Sequence, residues 1–210
     1  MAIDRAKFFP SVRTKIFNGR LKQSQVDGVN IILDSWEKSK FTDLRWLAYM
    51  LGTAYHETAA TMQPIKEYGG YEYFERMYGP EGRRPDTARA MGNVNPGDGA
   101  KYCGRGFVQL TWQINYKHAA RITGADLVNN PDLAMEPKIA AEVMFAGMTD
   151  ARIIFEDFSD TENFTFTGKS LEDYFSDTTE DWINARRIIN GTQAAMTIAQ
   201  TARDFNDALS

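Results

Sequence analysis

The chain has 210 residues, of which 43% are hydrophobic and 25% are charged, with 16 glycines and 7 prolines. This is the composition of an ordinary globular domain, and it excludes a disordered, collagen-like or coiled-coil chain. The net charge of −4 lacks the cationic excess with which nucleic-acid-binding proteins displace counterions, so no nucleic-acid partner is expected.

Helical patterns dominate both ends of the chain. Apolar residues spaced by three and four over 24–40 predict an amphipathic helix with Ser24 as its N-cap. Between Thr42 and Glu57 the apolar residues leave almost no polar face, which predicts a helix buried on most sides. Further helices are predicted over 111–122, 137–148, 179–190 and 194–209.

The middle of the chain has a different composition. Residues 65–74 are rich in aromatic side chains around Gly69-Gly70, which predicts a small β-hairpin. Residues 79–106 contain many glycines and prolines and are expected to form an irregular binding wall. Because neither a linker nor an internal repeat divides the sequence, we predict a single mainly α domain over residues 1–210.

The remaining polar motifs exclude several kinds of site. Two histidines and one cysteine cannot assemble the usual zinc sites, and His56-Glu57 lacks the second histidine of an H-E-x-x-H helix because residue 60 is alanine. Cys103 could act as a nucleophile with His56 or His118, but a lone cysteine is more often a packed side chain. We therefore expect neither a metal nor a cofactor.

Two carboxylates are the candidates for catalysis. Glu57 ends the most buried predicted helix, where desolvation is expected to raise its pKa toward the range of a general acid. Glu67 lies on the predicted hairpin. One protonated and one ionised carboxyl group that face each other across a cleft can hydrolyse a glycosidic bond. Spacing alone does not exclude the alternative, in which Glu67 is an exposed strand acid and Glu57 has a structural partner.

Longer motifs carry a resemblance to a known family. Residues 102–116 follow the pattern Y-x-G-R-G-x-x-Q-L-[ST]-x-x-x-N-Y, and residues 55–58 read YHET. Together with residues 65–67, 130–133 and 188–191, they resemble glycoside hydrolase family 19, the chitinase-like family that includes many phage and prophage endolysins. The segments FFPSVR and SQVDGVNIILDSW are similar to phage-type members, so the resemblance covers most of the chain.

The resemblance implies a lysozyme-like helical fold with two lobes, and an inverting mechanism on β-1,4-linked polymers that contain N-acetylglucosamine. It assigns Glu57 as the general acid, Glu67 as the base that activates water, and Thr111 as a residue that holds this water. The residues expected to bind the sugars are His56, Tyr102, Gln109, Asn115, Asn190 and Arg203, whereas Trp112 is either a sugar contact or a packing residue.

The sequence departs from the family pattern next to the proposed acid. The family commonly has Gly-Gly after H-E-T, whereas this chain has Ala59-Ala60, so the turn that follows Glu57 is expected to differ. The spacing to the second acid also varies among members. Glu81, which precedes Gly82-Arg83, is therefore the alternative base.

The function that we expect is that of an endolysin-type muramidase. It would cleave the β-1,4 bond between N-acetylmuramic acid and N-acetylglucosamine in peptidoglycan, as a monomer with no separate wall-binding domain. The alternatives are a chitinase and a catalytically silent carbohydrate-binding relative.

The sequence also leads to an expectation about location. Charge-free stretches such as Trp46 to His56, eleven residues long, fall short of the roughly 20 apolar residues that cross a bilayer, so no membrane insertion is expected. The first fifteen residues carry charges throughout and lack the apolar segment of a signal peptide. The protein would then stay in the bacterial cytoplasm until a separate pore-forming protein gives it access to the cell wall.

Overall fold

The computed structural model describes residues 2–149 and 165–210, and helices dominate them. The helices are α1 (Arg5–Lys15), α2 (Gln23–Lys38), α3 (Leu44–Glu57), α4 (Tyr71–Tyr78), α5 (Pro85–Ala90), α6 (Asp98–Lys101), α7 (Gln113–Thr123), α8 (Pro137–Met148) and α9 (Ala195–Leu209). Strands β1 (Ile65–Lys66) and β2 (Arg105–Gly106) are short, and 3-10 helices cover Pro131–Met135, Leu171–Asp173 and Asn184–Ile188. The predicted mainly α fold is confirmed.

The chain divides into two compact units. The first unit contains the residues up to Gln63 together with those from Met144 onward, and the second unit is Pro64–Val143. The assignment of residues 1–210 to one domain stays a prediction.

The core of the first unit is built around α3. This helix is buried from Leu47 to Ala54 and packs against α9. A Cβ atom on Gly52 would lie 2.9 Å from the Cβ atom of Ala202, so only glycine permits this close approach. Packing of α1 adds a stacked contact between Phe8 and Phe205, with ring centroids 6.4 Å apart. The last turn of α3, which carries Glu57, thus extends from a tightly packed helix.

The second unit contains the small sheet and corrects one prediction. Strand β1 pairs with β2 in antiparallel register, with Ile65 opposite Gly106. The predicted hairpin over 65–74 is wrong, because Gly69-Gly70 leads into α4, for which Gly70 is the N-cap. The aromatic residues of this segment belong to a helix that buries Phe74.

Four further expectations differ from the structure, the first of which concerns α2, whose N-cap is Lys22 and not Ser24. The helix predicted over 179–190 is wrong, since Phe175 forms an isolated β-bridge with Glu180 and only Asn184–Ile188 is helical, as a 3-10 turn. The irregular stretch 79–106 contains the short helices α5 and α6. Helix α3 is capped by Asp43 and not Thr42, because the Asp43 carboxylate accepts the Arg45 N–H at 3.0 Å.

Among residues 2–149 and 165–210, every helix is too short or too polar to cross a membrane.

Candidate active site

Glu57 lies in the first unit, at the C-terminal end of α3, and has a cationic partner. Its Oε1 accepts a hydrogen bond from Nη1 of Arg186 at 2.6 Å, and the side chains of Glu57 and Arg186 are 15% and 5% exposed. Nε of Arg186 donates to the carbonyl oxygen of Gln193 at 3.2 Å, which orients the guanidinium. Glu57 is therefore partly desolvated, as expected, but a buried ion pair balances its charge.

The turn that follows Glu57 has an unusual backbone. Ala59 and Ala60 have φ angles of +49° and +62°, in the left-handed region that favours glycine. These are the two positions at which the family commonly has Gly-Gly. Ala60 donates its N–H to the carbonyl oxygen of Tyr55 at 2.7 Å. Its own carbonyl oxygen accepts a hydrogen bond from Nε2 of Gln25 at 2.8 Å. The turn thus keeps a glycine-type conformation although both residues are alanine.

Replacing Ala59 and Ala60 together by glycine is expected to raise the free energy of unfolding by about 1 kcal/mol. The left-handed conformation costs an alanine about 1–2 kcal/mol, and glycine removes this cost from the folded state. The greater freedom of glycine in the unfolded chain lowers the free energy of unfolding by about 0.4–1 kcal/mol per residue, which offsets part of the increase. Urea unfolding of both proteins measures the difference. Ala125→Gly, at a loop position without a positive φ, serves as the control and should lower stability.

The other predicted residues of the first unit are exposed. His56 lies at the surface beside Glu57, and Arg203 holds its Cζ 5.9 Å from the ring centroid of Trp182. Asn190 donates its backbone N–H to the carbonyl oxygen of Arg186 at 3.1 Å, which joins it to the partner of Glu57. The side chains of His56 and Asn190 are thus accessible to a ligand.

Glu67 lies in the second unit, directly after β1, and is held by several donors. Its Oε1 accepts the hydroxyl groups of Tyr78 at 2.9 Å and Tyr73 at 3.3 Å, and its Oε2 accepts the N–H of Gly104 at 3.3 Å. Burial, together with the charge of Glu67, raises the pKa of both phenols. The phenols therefore stay protonated and donate their hydroxyl groups to the Glu67 side chain, whose position they fix.

The segment that carries Thr111 is strained and tied to the strand before Glu67. Gln109 has a φ of +55° and donates its Nε2 to the carbonyl oxygen of Ile65 at 3.2 Å. The Thr111 hydroxyl donates to the carbonyl oxygen of Gln109 at 2.8 Å, and Nδ2 of Asn115 donates to that of Thr111 at 2.9 Å. Strained backbone of this kind is frequent at functional sites. Asn115 is 9% exposed and holds the Thr111 backbone in place, and its expected sugar contact stays a prediction.

Two aromatic residues of the same motif differ in environment. Tyr102 is 1% exposed and packs against Tyr116, and its expected sugar contact stays a prediction. Trp112 is half-buried, and its ring packs edge-on against Tyr78 with centroids 5.2 Å apart. Cζ of Arg84 lies 5.4 Å from the Trp112 ring centroid. Trp112 therefore packs within the cluster around Glu67.

Cys103 and Glu81 complete the predicted candidates. Cys103 is fully buried, and burial raises the pKa of its thiol, so it is an inert packed side chain and not a nucleophile. Glu81 is exposed and lines a pocket of about 450 Å³. Within the described residues, no group of three or more histidine, cysteine or acidic side chains is arranged to hold a metal ion.

The sequence does not predict the partners of the two carboxylates. Arg186 is separated from Glu57 by 129 residues, and its only signal is its position just before the motif at 188–191. Tyr78 lies between the predicted hairpin over 65–74 and the predicted irregular stretch over 79–106. The spacing of Tyr71, Phe74 and Tyr78 by three and four residues is the helical signal that identifies this segment.

Comparisons with known proteins agree with this fold and these motifs. A family model described as "Chitinase class I" matches residues 38–152, more than half of the chain. Endochitinase 1 of Theobroma cacao is 35% identical over 105 residues, which cover 50% of this chain and 32% of that protein. Inactive chitinase-like protein 1 of Hevea brasiliensis is 46% identical over 41 residues, 20% of this chain and 13% of that protein.

A solved structure has a similar fold. The crystal structure of a bacterial family 19 chitinase superposes with a TM-score of 0.60 at 19% identity, covering 100% of this chain and 96% of that chain. At this identity the similarity concerns the fold alone.

This chain spans only about a third of the length of the curated relatives that it matches.

Proposed function

Because the chain belongs to glycoside hydrolase family 19, the class I chitinase family, we propose that it hydrolyses β-1,4 glycosidic bonds with inversion. In this proposal Glu57 protonates the leaving oxygen and Glu67 activates the attacking water, which the Thr111 hydroxyl helps to hold. Inverting glycosidases need such an acid and base, and neither role requires a metal.

The observation that carries the proposal is the environment of Glu67. Two phenol hydroxyls and one backbone N–H orient its carboxylate, so the oxygen atoms keep a fixed position while they accept a proton from water. A surface acid without such donors would lose this orientation. The ion pair with Arg186 fixes the position of the Glu57 carboxyl group at the end of a buried helix.

We propose bacterial peptidoglycan as the substrate, cleaved between N-acetylmuramic acid and N-acetylglucosamine. The support is the similarity of residues 8–13 and 24–36 to phage-type members of the family. Chitin is the second candidate, favoured by curated relatives that are named endochitinases. The expected access to the wall through a pore-forming protein stays a prediction, as does the monomeric state.

Mass spectrometry of the released products tests the function. Purified peptidoglycan and chitin hexamers are incubated with the wild type and, as the matched control, with Glu57→Gln. We expect muropeptides that end in reducing N-acetylmuramic acid from the wild type only, and NMR should detect the inverted anomer first. Products from chitin alone would make the protein a chitinase. If neither polymer is cleaved, the protein is a silent carbohydrate-binding relative.

A further inference from the structure

The second unit contains a pocket that the proposed acid and base do not explain. Its volume is about 450 Å³, and it lies between the end of α4, the loop 80–83 and Pro96. Two arginines, Arg76 and Arg83, line it together with two acids, Glu75 and Glu81. The pocket is therefore highly charged.

The backbone of the loop holds the two arginines side by side. Arg83 donates its N–H to the carbonyl oxygen of Arg76 at 2.8 Å, which folds the loop back onto the end of α4. A Cβ atom on Gly82 would lie 2.5 Å from the carbonyl oxygens of both Glu75 and Arg76, so this return requires glycine. The proximity of Arg76 and Arg83 is thus set by the backbone of the fold.

The charges that line the pocket are not equally available to a ligand. Both oxygens of Glu75 are occupied, because Oε2 accepts the Gly97 N–H at 3.0 Å and Oε1 accepts the Ala100 N–H at 2.7 Å. Arg76 and Arg83 are exposed, and no carboxylate within residues 2–149 and 165–210 lies within salt-bridge distance of them. Two guanidinium groups therefore remain to bind an anion.

The pocket adjoins the environment of Glu67 within the same unit. Cζ of Arg76 lies 6.0 Å from the ring centroid of Tyr73, whose hydroxyl donates to Glu67. Burial raises the pKa of Tyr73, and the positive charges of Arg76 and Arg83 partly oppose this increase. The pocket therefore lies beside the aromatic residues around Glu67.

We propose that Arg76 and Arg83 bind a carboxylate of the peptide side chains that peptidoglycan carries. The inference rests on the proposed function. The carboxylate is the feature that distinguishes peptidoglycan from chitin. Chitin is uncharged, so two unpaired arginines beside the proposed base would contribute no ion pair to it. A guanidinium binds a carboxylate through two parallel hydrogen bonds.

Steady-state kinetics on soluble, uncross-linked peptidoglycan chains test the inference. The proteins are the wild type, the double variant Arg76→Gln/Arg83→Gln, and Arg89→Gln as the matched control, since exposed Arg89 lies 3.8 Å from Asp86 in α5. Each protein is given chains with native carboxylates and chains whose carboxylates have been converted to neutral amides. Thermal unfolding establishes that all three proteins are folded.

The double variant is expected to raise KM on native chains about tenfold, which corresponds to 1.4 kcal/mol, while kcat stays within about twofold. Amidation of the substrate should raise KM of the wild type by the same factor and leave that of the double variant unchanged. Arg89→Gln should behave as the wild type does. Equal KM values for the wild type and double variant on native chains would overturn the inference, as would an equal effect of amidation on both.

Calorimetric binding separates this inference from the proposed function. If the wild type does not cleave the native chains, the proposed substrate is wrong. The dissociation constants of native and amidated chains for the wild type and double variant then still report on the arginines. A tenfold difference that disappears in the double variant supports the carboxylate site without catalysis, and identical constants reject it.

Discussion

Replacing Glu57 by glutamine is expected to lower kcat by a factor of about 10³. Glutamine has nearly the same shape as glutamate but has no proton to give to the leaving oxygen, and general acid catalysis contributes about 10²–10⁴ to the rate. KM should change little, because the polar side chain remains. Initial rates on soluble glycan chains, measured with enough enzyme to detect the residual activity, check this expectation.

The ion pair with Arg186 predicts a second effect of the same substitution. Arg186 is 5% exposed, so it loses its anionic partner in a site where water cannot fully replace that partner. We expect the free energy of unfolding to fall by about 1–3 kcal/mol, less than for full removal of one partner because the glutamine oxygen still accepts a hydrogen bond. Glu72→Gln, an exposed acid in α4, is the control for both measurements. A Glu57→Gln protein with wild-type kcat would remove Glu57 from the mechanism.

Three helices were predictable from the apolar pattern of their own residues. The periodicity over 24–40 corresponds to α2 at Gln23–Lys38, and the apolar segment that ends at Glu57 corresponds to α3. The segment 194–209 likewise corresponds to α9. These signals are local, because each helix repeats its apolar residues every three or four positions. Only the capping residues differ, as at Asp43, where neighbouring polar residues compete for the same role.

The sheet could not be predicted because its partners are far apart in sequence. Strand β1 ends at Lys66 and pairs with Arg105, nearly forty residues later, whereas Gly69-Gly70 suggests a nearby turn. Short-range composition favours a hairpin there, but burial of Phe74 on one face of α4 favours the helix.

The partners of the site residues could not be predicted for the same reason, because they are far apart in sequence. Glu57 and Glu67 could be predicted as site residues from sequence motifs. Arg186 could be identified only from the structure, in which its guanidinium contacts Glu57.

Replacing Glu67 by glutamine is expected to lower kcat by about 10²–10⁴, whereas Glu81→Gln should retain kcat within about threefold. The reason lies in the donors around each carboxylate. Glu67 accepts hydrogen bonds from Tyr73, Tyr78 and Gly104. Glu81 is exposed, and within the described residues no donor orients it. Parallel kinetics of the two variants on the same substrate, with melting temperatures as the control for folding, compare the two candidate bases.

Chemical rescue distinguishes loss of the base from loss of structure. In Glu67→Ala, azide can enter the space left by the carboxylate and attack the sugar without a base, so activity should partly return and the product should be a glycosyl azide of inverted configuration. The same treatment should leave Glu57→Gln inactive, because azide supplies no proton to the leaving oxygen. If Glu81→Gln loses activity while Glu67→Gln retains it, the base is Glu81. The phenols of Tyr73 and Tyr78 would then serve to stabilise the loop around Glu67, and the attacking water would lie beside the pocket formed by residues 80–83.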